Sequence, residues 1–251
     1  MTQTASRMVK NVFILMPAYN AAGTIEKVFE RIPAEARDRI RQFVVVNDGS
    51  TDATEDALAR LRARFPSLVT LTHTVNKGYG AAEKTLLTYA LEHEADVGIV
   101  LHSDGQYSPE SIPELLRPFD DDSADIVQGS RMLGGGALKG RMPLYKFVAN
   151  KALTGIENWA FGLKLAEYHS GYMLYSMKAI ASIPFLKLSS SFDFDLEMIV
   201  MARTRDLRIV EVAIPTIYAG EVSHLNPIDY GMRVLRIVRD YKLGKYHRLG
   251  A

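Results

Sequence analysis

The segment of residues 43–52, FVVVNDGSTD, constrains the fold of this chain most strongly. Its apolar run predicts a buried strand, and the change to Asn, Asp, Gly, Ser and Thr predicts that the strand ends near Asp48. Asp52 and Glu55 have the spacing of a helix N-cap and its capping partner, so a helix is expected to begin there. A strand, a tight turn and a helix make half of a β-α-β unit, and such units build parallel sheets.

Three further segments repeat this pattern of an apolar strand followed by small or polar residues. Residues 12–16 are followed by Pro-Ala-Tyr-Asn, residues 68–74 end at Asn-Lys-Gly-Tyr-Gly, and residues 96–101 are followed by His-Ser-Asp-Gly-Gln. The carboxyl ends of parallel strands meet at one edge of a sheet, where open α/β sheets bind ligands. We therefore expect a mostly parallel α/β sheet with a ligand site at that edge.

The remaining segments predict further helices and strands. Residues 132–143 contain four glycines, which give a backbone unusual freedom, and we expect a loop beside the site there. Strands are predicted at residues 126–129, 172–176 and 208–214, and helices at residues 144–161, 195–204 and from residue 228.

Composition limits the classes of protein that this chain can belong to. Its 251 residues, 47% hydrophobic and 24% charged, are typical of a globular protein, and a net charge of +1 gives no argument for nucleic acid binding. The absence of cysteine excludes disulfides and thiolate metal sites. No apolar run approaches the roughly 20 residues that span a bilayer, so we expect a cytoplasmic protein.

Five short motifs occur in a fixed order: PAYN, VVNDGSTD, NKGYGAA, DGQ and GSR. In this order the chain resembles the inverting family 2 glycosyltransferases, and in particular their dolichyl- or polyprenyl-phosphate sugar transferase branch, which is dolichol-phosphate mannosyltransferase-like. The later segments EYHSGY and FDFDLEM also resemble that branch. The resemblance implies a GT-A fold and transfer of a sugar from a GDP- or UDP-linked donor to a polyprenyl phosphate.

A nucleotide-sugar donor needs partners for its base and ribose. The Asp48 carboxylate can accept a hydrogen bond from a base imide, the Tyr19 ring can stack on the base, and Pro17 fixes the exit of the first strand. These residues could instead only turn the chain. The resemblance places around the donor Pro17, Tyr19, Asn20, Asp48, Gly78, Ser103 and Asp104.

The donor diphosphate is expected to meet a divalent metal ion, Mg²⁺ or Mn²⁺, at Asp104, with Gln106 as a further oxygen ligand. The family usually has an Asp-x-Asp box here, but His102 stands in place of the first Asp. A neutral imidazole would favour Mn²⁺ over Mg²⁺, whereas a protonated one could hydrogen-bond the diphosphate. His102 could equally be structural.

The acceptor phosphate is expected to meet cations near the glycine-rich segment. Arg131 follows a predicted strand, and its guanidinium suits two-pronged phosphate contacts. Lys139, Arg141 and His169 could also contact phosphate, although two solvated charges and a structural histidine are alternatives. A phosphate oxygen is already a nucleophile, so such an acceptor requires no general base.

An acidic cluster at the start of a predicted helix contains Asp193, Asp195 and Glu197. Carboxylates often serve only as caps at such a position. If the acceptor were a hydroxyl of a polysaccharide, protein or small molecule, Asp195 would be the candidate general base. Met173 stands where relatives often have arginine, and together with His102 it leaves a non-catalytic nucleotide-sugar-binding subunit as an alternative.

We divide the chain into a GT-A domain at residues 1–226 and a C-terminal basic amphipathic helix at residues 227–251. The last 25 residues carry six Lys or Arg against two Asp, with apolar residues at roughly helical spacing. Such helices bind anionic membrane surfaces, although packing on the domain is an alternative. The sequence therefore predicts a protein at the cytoplasmic face of the membrane, acting peripherally or with a membrane partner.

Overall fold

The computed structural model describes residues 8–140, 142–215 and 227–249. Within these ranges seven strands form one sheet, and they are numbered here in chain order. They are β1 (Val12–Ala18), β2 (Ile40–Asp48), β3 (Leu68–His73), β4 (Val97–Val100), β5 (Ile126–Ser130), β6 (Met173–Ser176) and β7 (Ile209–Ala213).

Helices connect these strands. They are α1 (Ile25–Arg31), α2 (Ala34–Arg37), α3 (Thr54–Arg64), α4 (Tyr79–Glu92), α5 (Ile112–Asp120), α6 (Gly136–Lys139), α7 (Leu144–Phe161), α8 (Met177–Ser182), α9 (Phe194–Thr204), α10 (Pro227–Lys242) and α11 (Lys245–Arg248). Short 3₁₀ turns lie at Pro109–Ser111, Leu133–Gly135 and Phe185–Lys187.

The strand order in the sheet is β3-β2-β1-β4-β6-β5-β7. The pairs β3–β2, β2–β1, β1–β4 and β5–β7 are parallel, whereas β6 is antiparallel to both β4 and β5. The predicted mostly parallel sheet is therefore confirmed. The carboxyl ends of β1 to β4 all lie at one edge.

The hydrophobic core lies on both faces of the sheet, because side chains alternate along each strand. On β2, Val44 and Val46 belong to one apolar cluster, and Phe43 and Val45 belong to the other. Each such buried side chain stabilises the fold by about 1.5–3 kcal/mol. Two apolar faces require helices on both sides, as in other α/β sheets.

The predicted loop at residues 132–143 was wrong in part, because this segment contains a 3₁₀ turn and α6. Met132, Ala137 and Met142 are buried together in a small apolar cluster. Burial of these side chains holds the segment in a compact form despite its glycines.

The predicted capping box was also wrong. α3 begins at Thr54, and Asp52 Oδ1 accepts a hydrogen bond from the Thr54 backbone N–H at 3.0 Å. Glu55 instead accepts hydrogen bonds from Asn47 and Arg62, at 3.2 and 3.1 Å. These competing donors draw the Glu55 side chain away from the helix N-terminus.

The C-terminal part of the described chain lies against the domain. α10 packs on α7 and α9, and α11 packs on α9. In the three described ranges, every helix is too short or too polar to cross a bilayer.

Candidate active site

The predicted polar clusters meet at the carboxyl ends of β1, β2 and β4. The Asn20 backbone N–H donates to Ser50 Oγ at 3.0 Å, and Asn20 Oδ1 accepts from the Thr51 backbone N–H at 2.9 Å. Ser103 Oγ donates to the Pro17 carbonyl oxygen at 3.0 Å. These contacts join three strand ends into one polar edge, as the sequence predicted.

Asp48 is buried at this edge, and its carboxylate has several hydrogen-bonding neighbours. Its carboxylate accepts hydrogen bonds from the backbone N–H groups of Lys77 and Gly78, both at 2.9 Å, and lies 2.6 Å from His73 Nδ1. A carboxylate has about four acceptor positions, so about one remains for a ligand. Asp48 therefore fixes the turn between β3 and α4 in addition to any role with a donor base.

Gly78 serves this turn through its backbone. Its φ angle is +97°, a region that favours glycine, and an added Cβ would lie 2.7 Å from the Ser190 carbonyl oxygen. The backbone N–H that reaches Asp48 thus depends on glycine at this position. By contrast, the Tyr19 side chain is about half exposed and available to stack on a planar ligand.

The box after β4 has its own local structure. Asp104 is partly exposed, and its Oδ1 accepts a hydrogen bond from the Gln106 backbone N–H at 2.9 Å. Arg31 braces the turn, because its Nη1 donates to the Gly105 carbonyl oxygen at 3.1 Å while the rest of its guanidinium binds Glu110. This turn fixes the position of the partly exposed Asp104 carboxylate just after the end of β4.

His102 belongs to a hydrogen-bonded chain of side chains. Its Nε2 lies 2.9 Å from Tyr79 Oη, and the Tyr79 hydroxyl donates to Asp195 Oδ2 at 2.9 Å. A hydroxyl has one proton, so in this arrangement His102 Nε2 carries the hydrogen and Nδ1 carries the lone pair. Burial is the main cause that holds the pKa of His102 below its usual range, so the ring is neutral near pH 7.

These side chains fit a divalent metal only in part. Within the described ranges, no three His, Asp or Glu side chains come together to hold a metal ion. The box offers the Asp104 carboxylate, with His102 and Gln106 beside it. Mg²⁺ is often held by one or two carboxylates plus substrate phosphates, so this donor set fits a metal that arrives with a diphosphate.

A second carboxyl group, Glu83, is buried against Asp195. Glu83 lies one turn after Tyr79 on α4 and is fully buried, and the neighbouring Asp195 carboxylate disfavours its ionisation. Two buried carboxyl groups side by side resist ionising together, because burial and the like charge both disfavour the second charge. Burial raises the pKa of Glu83 well above its usual range and that of Asp195 to about 7. The pair therefore retains a proton near neutral pH, beside the candidate site.

This pair gives a pH-dependent stability. Between the unfolded and folded pKa values of Asp195 the folded state retains a proton that the unfolded state has released, so the free energy of unfolding must fall as the pH rises through 7. We expect a fall of roughly 2–4 kcal/mol from pH 5 to pH 8 in urea titrations. Glu83→Gln should reduce this fall by about half or more, because its amide can donate to an ionised Asp195. The free energy of unfolding would be plotted against pH for Glu83→Gln, for the exposed control Glu35→Gln and for the parent protein. Equal slopes for all three would contradict a proton held by the Glu83–Asp195 pair.

Arg131 lies in a buried ion pair. Its Nε and Nη2 donate to Glu167 Oε1, the former at 3.0 Å, and its backbone N–H donates to Glu167 Oε2 at 2.9 Å. Nη2 also donates to the His169 carbonyl oxygen at 2.7 Å. The Glu167 side chain has no exposed surface, so the Arg131 charge is already balanced within the protein.

His169 lies in a neighbouring buried pair. Its Nε2 is 3.2 Å from Glu157 Oε2, and its Nδ1 is 3.1 Å from Tyr230 Oη on α10. His169 is thus held by α7 and α10. Of the other predicted phosphate ligands, the Lys139 side chain and all of Arg141 lie outside the part of the chain that the structure describes.

Several residues of this site were missed from the sequence. Glu83 could have been found, because it lies at helical spacing from Leu86 and Ala90, which mark the buried face of α4. The partnerships of Asp48 with His73 and of Arg131 with Glu167 leave no local signal. They depend on strand pairing and on a segment 36 residues away.

Comparison with known proteins identifies the class. Residues 13–183 match glycosyl transferase family 2, and the chain belongs to that family. It is 29% identical to the UDP-N-acetylglucosamine–dolichyl-phosphate N-acetylglucosaminyltransferase of Methanococcus voltae, over 94% of this chain and 98% of the relative. It is also 29% identical to the undecaprenyl-phosphate mannosyltransferase of Micrococcus luteus, over 81% of this chain and 82% of the relative.

Solved structures show the same fold. Glucosyl-3-phosphoglycerate synthase of Mycobacterium tuberculosis, in complex with Mn²⁺, UDP and glucosyl-3-phosphoglycerate, has a TM-score of 0.62 and 19% identity to this chain. The similarity covers 94% of this chain and 80% of that one. The predicted GT-A fold is confirmed.

Proposed function

We propose that this enzyme transfers a sugar from a nucleotide-diphosphate sugar to a polyprenyl phosphate. The observation that carries the proposal is the similarity, over most of both chains, to two transferases whose names specify dolichyl and undecaprenyl phosphate. Those relatives transfer different sugars, N-acetylglucosamine and mannose. The donor is accordingly proposed as a UDP- or GDP-sugar.

The proposed reaction is one in-line displacement at the anomeric carbon. The bond from that carbon to the donor diphosphate breaks while a bond to an acceptor phosphate oxygen forms, so the anomeric configuration inverts and a nucleoside diphosphate leaves. The acceptor oxygen is already anionic and needs no general base. The protein's task is to position two anions that repel each other.

The leaving diphosphate would lie at the box after β4. Asp104, with Gln106 and the neutral His102, would hold Mg²⁺ or Mn²⁺ together with diphosphate oxygens. A cation at this position would stabilise the negative charge that develops on the leaving group. The Mn²⁺ bound by the glucosyl-3-phosphoglycerate synthase supports this assignment.

The nucleoside would lie at the ends of β1 and β2. Tyr19 offers an exposed ring, and Asp48 retains about one acceptor position for a base or ribose hydrogen. Asn20 and Ser103 hold the neighbouring backbone in place. Gly78 has no side chain, so the turn between β3 and α4 could approach the donor closely.

The acceptor phosphate would lie beside Arg131. Glu167 and the His169 carbonyl hold the Arg131 guanidinium in one orientation. A guanidinium held in this way favours a contact of fixed geometry between its edge and a phosphate. Lys139 and Arg141 follow Arg131 in the chain, and we propose that they also contact the acceptor phosphate. His169 is proposed as a further phosphate contact.

The C-terminal segment is proposed to bring the enzyme to its lipid acceptor. α10 is basic and exposes apolar residues, and such helices bind anionic lipid surfaces. The enzyme would act at the cytoplasmic face of the membrane, peripherally or with a membrane partner.

A hydroxyl acceptor is the main alternative, and Asp195 is the observation that favours it. Its pKa of about 7 suits a general base, and its Oδ2 already receives the Tyr79 hydroxyl. This alternative predicts that Asp195 is needed to deprotonate an alcohol. The phosphate reaction needs Asp195 only to position Tyr79 and His102.

The proposal is tested by turnover of a panel of UDP- and GDP-sugars with a short polyprenyl phosphate, with and without Mn²⁺ and excess chelator. We expect release of one nucleoside diphosphate that depends on both the lipid phosphate and the metal. Release only with a hydroxyl acceptor would favour the alternative. Tight donor binding without release from any donor would indicate a non-catalytic subunit.

A further inference from the structure

α7 exposes large apolar side chains on its outward side. Its outward side carries large apolar residues at helical spacing, here called the α7 stripe: Tyr145, Val148, Ile156 and Trp159. Trp159 is 74% exposed, whereas the adjacent Glu157 has no exposed surface. Ala149 and Ala152, which lie between the stripe residues, are exposed as well. A surface helix of a protein surrounded only by water normally has charged or polar residues on its outward side.

The inward side of α7 carries the buried Ala160 and Phe161 and is fixed by specific contacts of its polar residues. Asn158 accepts from the Leu165 backbone N–H at 2.9 Å and donates to the Leu165 carbonyl at 2.8 Å. Glu157 lies 3.2 Å from His169. Turning the helix to hide its stripe would remove these partners from Asn158 and from the buried Glu157, which is unfavourable. The α7 stripe is therefore a permanent feature of the folded protein.

α10 lies beside α7 and adds positive charge to the same surface. Lys242 Nζ lies 4.6 Å from the centre of the Trp159 ring, and the rings of Tyr241 and Phe161 are 5.0 Å apart. Arg236, Arg239 and Lys242 are exposed, as are the apolar side chains Met232 and Leu235. A tryptophan beside a lysine suits the headgroup level of a bilayer, where the ring is partly buried and the ammonium reaches water.

We infer that the α7 stripe and the basic outer side of α10 together form a docking surface for an anionic lipid bilayer. The inference rests on the proposed function, in that a polyprenyl phosphate acceptor lies in such a membrane. Charge favours a membrane over a second copy of this chain. The segment of residues 227–249 carries six Lys or Arg against two Asp, so a second copy would bring like charges to the contact.

The position of this surface also suits the acceptor. α7 begins shortly after the segment that follows Arg131, and its buried Glu157 contacts His169. His169 in turn contacts Tyr230 at the start of α10. Docking through these two helices would therefore hold the proposed acceptor-phosphate residues close to the bilayer surface.

Trp159 is the one tryptophan of the chain and reports on docking directly. We expect its fluorescence to shift to shorter wavelength when the full-length protein meets vesicles of phosphatidylcholine with phosphatidylglycerol, and much less with phosphatidylcholine alone. Val148→Ser combined with Ile156→Ser should raise the lipid concentration at half-shift at least tenfold, since two apolar side chains no longer enter the bilayer. Arg236→Glu should weaken binding about fivefold or more. The exposed control Leu186→Ser, which lies outside both helices, should bind as the parent does.

The inference is overturned if no vesicle shifts the fluorescence or sediments the protein. It is also overturned if the Val148→Ser, Ile156→Ser variant binds vesicles as the parent does. It is also overturned if the shift occurs without vesicles and grows with protein concentration, which would identify a second copy as the occupant. A short, water-soluble prenyl phosphate separates this inference from the proposed function. Transfer without vesicle binding would count against docking alone, and vesicle binding without transfer to any phosphate would count against the proposed function alone.

Discussion

Asp104→Asn is expected to lower the rate of sugar transfer by roughly 10²- to 10³-fold, because the leaving diphosphate would lose most of the stabilisation that a bound cation provides. Asp104 is the one partly exposed carboxylate in the box after β4, and the described residues offer no third acidic or imidazole group to replace it. Initial rates over a Mn²⁺ titration measure the effect. The amide keeps the side-chain size, so the fold should be unchanged.

Asp121→Asn is the matched control for this experiment, because Asp121 is an exposed carboxylate at the end of α5. Its transfer rate should equal that of the parent protein. An Asp104→Asn enzyme that retains transfer within about threefold, with the same metal requirement, would show that the metal is held elsewhere or is not needed.

Glu167→Ala is expected to lower the free energy of unfolding by about 3–5 kcal/mol, because it leaves the Arg131 guanidinium without its buried counter-charge. Urea denaturation measures the change. The exposed control Glu114→Ala should stay within about 0.5 kcal/mol of the parent. Combining Glu167→Met with Arg131→Met should recover much of the loss, since no buried charge then remains unpaired.

A Glu167→Ala protein within about 1 kcal/mol of the parent would contradict a buried pair. Activity separates the two proposed roles of Arg131. If Arg131 only supports the fold, the double methionine variant should transfer sugar normally once it is folded. If Arg131 also aligns the acceptor phosphate, the folded double variant should show a raised KM for that acceptor with donor binding unchanged.

The sequence predicted the sheet well because its strands carry a strong local signal. On β2 the apolar run followed by Asn47 and Asp48 marks both the buried strand and its functional end. Parallel pairing then brings the ends of β1, β2 and β4 together without further information. The order of the short motifs also predicted the family, and the comparison confirms that prediction.

The finer features of the site depend on tertiary contacts that no local pattern encodes. From the sequence, His102 could be a metal ligand or a structural histidine. Only the positions of Tyr79 and Asp195 show which of its ring nitrogens carries the hydrogen. Arg131 appeared as a free phosphate ligand, whereas its charge is paired with Glu167. The glycines of residues 132–143 indicated a loop, but the burial of neighbouring methionines produces short helices.

The exposed apolar side of α7 shows a related limit of sequence patterns. A helix with apolar residues on most sides predicts a buried element, and residues 144–161 were predicted only as a helix. The structure shows that Glu157 and Asn158 point inward, where they contact His169 and Leu165. The orientation of the helix, rather than its composition, indicates the docking surface.

The linkage formed in the product tests the proposed function most directly. The donor that gives turnover would be supplied with a carbon-13 label at its anomeric position, and the product would be analysed by carbon and phosphorus NMR. The proposal predicts a glycosyl phosphate, with coupling between the anomeric carbon and the lipid phosphorus and an anomeric configuration opposite to that of the donor. A sugar linked to a hydroxyl, a retained configuration, or free sugar as the sole product would contradict it.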